Sequence, residues 1–265
     1  MKRLCILLAL LLPVSAWAQS TEFGARASVE ANYKIKKGLH VYAEEELRVT
    51  APSLDSWRHT LGFTYKPFKG LKLGVGYTLI NPYKSSEAKF KNPRHRFFAD
   101  VTGSFTAGDF QFSLKERFQL THRTGTFNVY QTTPNAMALK SRLTFKYKGF
   151  VDVDPYASFE MRTVLNDPWG TATSSTQKWN NSGTKQYYDY SPEGYTHVYN
   201  NRYRLNLGAD VRLSKHHHLE PYVLLDSCSD YEIDTNSDGT RLYTATTAWN
   251  ETTGFVLGLG YTFSF

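Results

Sequence analysis

The feature that most constrains this chain is a two-residue alternation that runs from Phe23 to the C-terminal Phe265. In the first run Phe23, Ala25, Ala27, Val29, Ala31 and Tyr33 share one side, and Arg26, Ser28, Glu30, Asn32 and Lys34 the other. Side chains that change face at every residue belong to a strand, because a helix would group them three and four apart. After the turn Lys36-Lys37-Gly38, a second run sets Leu39, Val41, Ala43, Leu47 and Val49 against His40, Tyr42, Glu44, Glu46 and Arg48. Glu45 breaks the apolar stripe, and a β-bulge or a place near a membrane interface would each account for it.

The pattern continues in hairpins. Trp57–Tyr65 and Leu71–Leu79 flank Lys66-Pro67-Phe68-Lys69-Gly70, and Arg94–Phe105 and Phe110–Leu120 flank Thr106-Ala107-Gly108-Asp109. Met137–Tyr147 and Val153–Arg162 flank a short connection, and His197–Leu213 and Leu219–Asp226 a His-rich turn. The last run sets Phe255, Leu257, Leu259, Tyr261, Phe263 and Phe265 against Val256, Gly258, Gly260, Thr262 and Ser264. The composition agrees, with 18 Tyr and 17 Phe against 3 Met, since aromatic and β-branched residues suit a pleated surface. After the N-terminal segment no apolar run approaches the ~20 residues of a membrane helix.

Runs near the ~9–11 residues that cross a bilayer as tilted strands, each with one apolar and one strongly ionic face, fit a transmembrane barrel better than a soluble sandwich. Lipid takes the apolar face and closure removes the unpaired edges. The expected fold is therefore all-β, a transmembrane antiparallel up-and-down β-barrel. Connections at 35–38, 66–70, 106–109, 148–152 and 214–218 are short; those at 51–56, 80–93, 121–136, 164–196 and 228–253 are mostly long. Short turns then lie in the periplasm and long loops outside. The runs number eleven, whereas single-chain bacterial barrels normally have an even count, so about 12 strands are expected, with 10 as the second choice. Either the chain before the first strand threads the lumen, or a strand is hidden in 164–196 or 240–250.

Residues 1–18 read as an export signal: Lys2 and Arg3, the apolar Leu4–Leu12, then Ala16-Trp17-Ala18 with cleavage before Gln19. The barrel domain is 19–265. Removing Lys2 and Arg3 from 31 basic residues leaves 29 against 24 acidic ones, a net +5. Cys228 is then the one cysteine left, so no internal disulfide forms and no chemical role is assigned to it.

The ending Gly258-Leu259-Gly260-Tyr261-Thr262-Phe263-Ser264-Phe265 resembles the assembly signal of Gram-negative outer-membrane barrels, with Tyr261, Phe263 and Phe265 on the lipid side. More narrowly, Glu46-Leu47-Arg48, Gly62-Phe63-Thr64-Tyr65 through Gly74-Val75-Gly76-Tyr77, His95-Arg96, Ser141-Arg142 and Asn201-Arg202-Tyr203-Arg204 resemble an uncharacterised family of Gram-negative outer-membrane β-barrels, a domain of unknown function. That resemblance covers nearly the whole mature chain. It implies a bacterial outer-membrane location, lipid and lipopolysaccharide as surroundings and the barrel-assembly machinery as a partner in biogenesis. It implies no activity and no catalytic residues.

The faces opposite the apolar stripes place a charge network in the lumen: Glu44, Glu46, Arg48, Arg58, Arg94, Arg96, Asp100, Arg117, Arg142, Glu160, Arg162, Arg202 and Arg204. Ion pairing of these groups would close the lumen, whereas unmatched arginines would line a narrow path for anions. Glu44, Glu46, Arg48, Arg94 and Arg96 are expected to meet at its centre.

Other candidates are weaker. His59, near Ser56 and Asp55, and His95 sit on apolar stripes where long loops begin, so they read as rim histidines; the other reading is a Ser/His/Asp site of a lipid-modifying enzyme. No G-x-S-x-G or H-E-x-x-H motif is present, and no catalytic residues are assigned. Adjacent His216, His217 and His218 point in different directions in a strand or turn, so no metal site is assigned. Asp230, Glu232, Asp234, Asn236, Asp238 and Gly239 resemble a calcium loop but lack its closing Glu and flanking helices. Trp169, Trp179, Tyr187, Tyr188 and Tyr190 fall in the tract 164–196, an aromatic and polar loop that suits a sugar or peptide. No cofactor is expected, and nucleic acid is excluded because the basic residues alternate inward. The expected function is a narrow or mostly plugged pore or a structural surface protein with a basic lumen. A lipid-modifying enzyme and a ligand-capturing or adhesive barrel acting through 164–196 are the alternatives.

Overall fold

The structure, a computed structural model, describes residues 21–180, 183–237 and 242–265, with side chains at 21, 173–188 and 243–246 excepted. The expected export signal, 1–18, lies outside the described residues. The strands are β1 Thr21–Lys36, β2 Leu39–Thr50, β3 Ser53–Phe68, β4 Leu71–Lys84, β5 Lys89–Phe90, β6 Arg94–Ala107, β7 Phe110–Arg123, β8 Asn135–Tyr147, β9 Val153–Asn180, β10 Gly183–Arg212, β11 His217–Ser237 and β12 Leu242–Ser264. Eleven of them form a closed ring, and the two-residue β5, which pairs with Tyr83 and Lys84 at the end of β4, stands outside it.

The eleven runs legible in the sequence are the eleven strands of the wall. An up-and-down ring with an odd number of strands must contain one parallel pair, and it lies between β1 and β12, in register from Thr21↔Thr253 to Asn32↔Ser264. Every other step around the wall is antiparallel. The odd count of runs is therefore real, and among the described residues no hidden wall strand is needed to absorb it.

The polarity is inverted relative to a soluble core. Leu61, Val75, Phe97, Val101, Leu114 and Leu259 are exposed on the outside, whereas Asp100, Gln119, Ser158, Glu160 and Arg204 are buried within. A soluble sandwich would bury the apolar stripe instead. Glu45 sits outside without any bulge, directly opposite His59; the register shift of this hairpin falls at Arg48/Val49.

Two tracts expected as loops are strand. β9 and β10 extend 164–196 into a long hairpin, β11 and β12 do the same for most of 228–253, and Tyr188↔Thr244 and Asp189↔Tyr243 join the two hairpins at the outer end. Their alternation is hard to see because the β9–β10 ladder shifts register at Asp189/Tyr190, Pro192/Gly194, Gly194/His197, His197/Tyr199 and Asn200/Arg202. Each shift exchanges the two faces and erases the two-residue period.

Inward aromatic rings lie flat over glycines of the next strand: Tyr42 over Gly62, Tyr156 over Gly208, Tyr222 over Gly258 and Phe98 over Gly76. A methyl at Gly76 would meet the Phe98 ring at 2.4 Å and the Leu61 carbonyl at 2.9 Å, whereas one at Gly103 meets nothing within 4 Å. Gly76→Ala should therefore destabilise the folded barrel by about 1–3 kcal/mol through overpacking, and Gly103→Ala should not. Urea unfolding midpoints of the two variants in the same detergent check this; equal midpoints would refute it.

Candidate functional site

The densest chemistry lies in the lumen and follows from register. Arg142 on β8, Glu160 on β9, Arg204 on β10 and Asp226 on β11 are successive partners across the sheet, so their inward side chains form one row of alternating charge. Glu160 is buried and accepts from Arg142 Nε at 2.9 Å and Nη2 at 2.5 Å, from Arg204 Nη1 at 3.2 Å, with Lys140 Nζ at 3.4 Å. Asp226 accepts from Arg204 Nε at 3.0 Å and Nη2 at 2.8 Å, with Arg202 Nε at 3.4 Å and Arg26 Nη2 at 4.0 Å. Buried charges persist only when paired in this way.

Two further groups stand beside the row. Arg117 grips Asp100 with Nε and Nη2, both at 2.6 Å, and lies 4.1 Å over the Phe98 ring, while Lys115 approaches the same carboxylate at 2.9 Å. On β2, Glu46 is held by Arg48 through Nη2 at 3.0 Å and a shorter contact from Nε.

The other cations of the expected network have no carboxylate within salt-bridge reach among the described residues: Arg58 donates to Ser56 Oγ at 3.2 Å and Arg96 to Thr121 Oγ1 at 3.0 Å, while Arg94 and Arg162 make no ion pair. Arg96 is repelled by Arg162, Arg48, Arg117 and Arg94. The expected central cluster is thus brought together in part. Glu44, Glu46, Arg48 and Arg96 line one cavity, but Arg94 lies apart from it at the outer mouth. Sequence reasoning left out Arg26 and Asp226, although the same alternation turns both inward.

The lumen is a series of chambers. One of about 540 Å³ opens at the short-turn end past Lys72, Tyr156 and Glu220. The next, about 270 Å³, holds Asp100 and Lys115; a third, about 290 Å³, holds Arg58 and Arg96; a fourth, about 280 Å³, reaches Arg202, Asp226 and Cys228. Adjacent chambers share walls: Lys72 and Arg142, then Arg117, Lys140 and Glu160, then Arg48, Arg58 and Arg204. Spaces of this size hold several waters or a small solute.

The Ser/His/Asp reading does not survive the geometry. Ser56 is buried on the inner face and donates to Asp55 at 2.8 Å, whereas His59 faces out and places Nδ1 2.7 Å from Glu45, which also accepts from Trp57 Nε1 at 2.9 Å. His95 shares a 2.7 Å contact with the Tyr77 hydroxyl. His216, His217 and His218 each have a separate partner: the Ser264 carbonyl, the Tyr261 hydroxyl and Asp210. Among the described residues no three His, Cys, Asp or Glu side chains converge as metal ligands. The stretch that resembles a calcium loop is strand β11 as far as Ser237, with Asp230 taken by Asn201 Nδ2 at 2.6 Å; Asp238 and Gly239 lie outside the described residues. Of the assembly stretch, Phe263 and Phe265 pack edge to face at 4.2 Å, and Phe265 lies 6.3 Å from Tyr33.

Of the residues expected in a ligand loop, Trp169 instead packs into an aromatic group above the band of outward apolar side chains, 4.4 Å from His197 and 5.5 Å from Tyr231, with Tyr199 and Trp249 completing it. Tyr190 is buried; the side chains of Trp179, Tyr187 and Tyr188 lie outside the described residues. The connection 124–134 is tied to the same hairpins, through Asn128 to Thr235 Oγ1 at 2.9 Å and Tyr195 to the Val129 carbonyl at 3.1 Å. Burial pushes the His197 imidazole below its ordinary value, against the attraction of Asp167, and pushes the Tyr190 hydroxyl up to about 12. Burial also raises the Asp167 carboxyl, against a hydrogen bond from Tyr199.

A family model described as protein of unknown function (DUF2490) matches residues 23–236, from the start of the wall into β11. Among curated proteins nothing matches.

Glu160→Gln should cost about 3–5 kcal/mol, because it leaves buried cations uncompensated, and Gln should rescue little of the loss measured for Ala; stability within ~1 kcal/mol of the parent in detergent unfolding would refute the hub. At the outer end, unfolding lets His197 take up a proton, so its contribution is complete above the unfolded value near ~6.5 and is lost as pH falls below that value through the lowered folded one. Asp167, shifted upward, acts in the opposite sense at more acid pH. Lowering the pH from about 7.5 to about 5.5 should therefore hasten limited proteolysis of the outer hairpins, and His197→Phe should remove that dependence. A rate independent of pH in the parent would refute it.

Proposed function

The chain belongs to this family of proteins of unknown function, and on that footing we propose that it is a Gram-negative outer-membrane barrel whose partitioned lumen passes small anions. The observation that carries the reading is the set of arginines without carboxylate partners among the described residues, Arg58, Arg96 and Arg162, beside the ion pairs of Glu160, Asp226, Asp100 and Glu46. Fixed guanidinium groups in a confined aqueous path replace part of an anion's hydration and repel cations. Chambers near 280 Å³ suit ions and small solutes rather than oligosaccharides. The shared walls make passage slow, because an ion must displace Arg117, Lys140 and Arg204 from their carboxylates to advance.

The outer-membrane part of the proposal rests on the outward apolar band, the short turns at one end against long hairpins at the other, and the aromatic face of β12 at Tyr261 and Phe263. Outer-membrane lipid and lipopolysaccharide would cover the band, and the barrel-assembly machinery would read the last strand. The lipid-modifying alternative loses its nucleophile to the inner face, and the aromatic residues Trp169 and Tyr190 are packed within the outer hairpins instead of being presented on a loop.

Planar-bilayer recording of the refolded protein under a salt gradient tests the proposal, with heat-modifiable gel mobility showing that it has folded. Small stepped currents with an anion-favouring reversal potential are expected, and Arg96→Gln should reduce that preference severalfold. A folded barrel that stays silent, or one that favours cations, would overturn it.

A further inference from the structure

The outer mouth holds a fifth cavity, of about 480 Å³, where the connection from β4 to β6 meets the connection from β7 to β8. Lys84 ends β4, Lys89 and Lys91 come from the first connection, and Arg94 and Arg123 from the adjacent ends of β6 and β7. The one carboxylate in its lining, Glu87, is taken by Lys84 and, at 2.6 Å, by Lys89. Lys91, Arg94 and Arg123 have no ion pair among the described residues.

Two observations show that this is more than a basic rim. Arg94 and Arg123 are direct partners in the β6–β7 ladder, so two like charges stand opposite one another, an arrangement that destabilises a sheet unless something negative lies between them. Arg123 Nε is also buried and has no hydrogen-bond partner, although the Arg123 backbone N–H is satisfied by the Pro134 carbonyl. A buried charged donor left unmade is costly, and an anion in the cavity would relieve both penalties together.

The cavity is held in shape by its own backbone. Lys91 N–H donates to the Pro82 carbonyl at 2.7 Å, and Thr124 Oγ1 donates to the Pro93 carbonyl at 2.5 Å, which ties one connection to the other. Gly125, at φ 96°, lets Asn92 pack where a side chain would collide. Phe90 and Phe127 add ring surface to the lining. Planar guanidinium forks match phosphate oxygens, lysines add point charge, and aromatic faces cover the apolar face of a sugar.

We propose that this cavity binds a phosphomonoester borne on a sugar ring, either the headgroup of a phosphorylated glycolipid or a free sugar phosphate. The site stands apart from the chambers of the lumen and does not depend on whether they conduct.

Calorimetric titration of the refolded full chain in zwitterionic micelles, with glucose 1-phosphate, glucose, inorganic phosphate and micelle-incorporated lipid A as probes, tests this. Glucose 1-phosphate should bind and glucose should not. Arg123→Gln should weaken binding about tenfold or more, and Lys91→Gln, an exposed change that spares the fold, should weaken it severalfold; Lys148→Gln at the opposite end should leave it unchanged. Lipid A that binds and displaces glucose 1-phosphate would support the site with a glycolipid as the source; glucose 1-phosphate binding with lipid A inert would support it with a free sugar phosphate. Absence of binding by either phosphorylated sugar to the folded barrel, undiminished binding by both variants, or inorganic phosphate binding as tightly as glucose 1-phosphate would overturn it.

Discussion

Closure of the backbone ladder is the constraint on which everything else in this protein depends. A sheet that presents its apolar face outward has no packed core to hold it, so its edges must find each other. Here the first and last wall strands do so in parallel, from Thr21↔Thr253 to Asn32↔Ser264. Once the ring is shut, every inward residue faces a narrow space shared with the opposite wall. The side chains in that space must then satisfy one another, since few other atoms are available to them.

Register decides how they manage it. Arg142, Glu160, Arg204 and Asp226 meet because they are successive partners on four strands, and a shift of one residue anywhere in that row would turn a charge to the outside. The Tyr-over-Gly contacts follow from the same geometry: Gly62, Gly208 and Gly258 leave room for rings from adjacent strands, which flatten against the wall and leave space in the lumen. Charge and shape are therefore set together, and the chambers are what remains between the ion-paired walls.

Much of this was legible from period alone. Alternation identified all eleven wall strands and the inward face of Glu160, Arg204 and Asp100, because a two-residue period survives wherever the ladder is regular. It failed where the ladder is irregular, and the five shifts along β9–β10 made a strand hairpin read as a loop. The count of about 12 is met by eleven wall strands and the short β5 outside them; the even-count rule presumes antiparallel closure, and nothing in the residues of β1 announces a parallel partner. The alternative Ser/His/Asp reading required Ser56 and His59 to meet, whereas strand geometry sends residues three apart to opposite faces. Which cations would be left without carboxylates was not readable, since that depends on cross-strand neighbours far apart in sequence.

The outward pair of Glu45 and His59 shows how far the inversion of polarity can be relaxed. A carboxylate on a wall of Leu, Val and Phe is unfavourable if it stands alone in hydrocarbon. Glu45 accepts from Trp57 and contacts His59, and the three side chains form a compact polar group on the outer face near the middle of the β2–β3 hairpin. Trp is a residue of the membrane–water boundary, where its ring sits among apolar groups and its N–H needs an acceptor. Trp57 supplies that N–H to Glu45, so the exception in the stripe is satisfied by its own neighbours on the outer face.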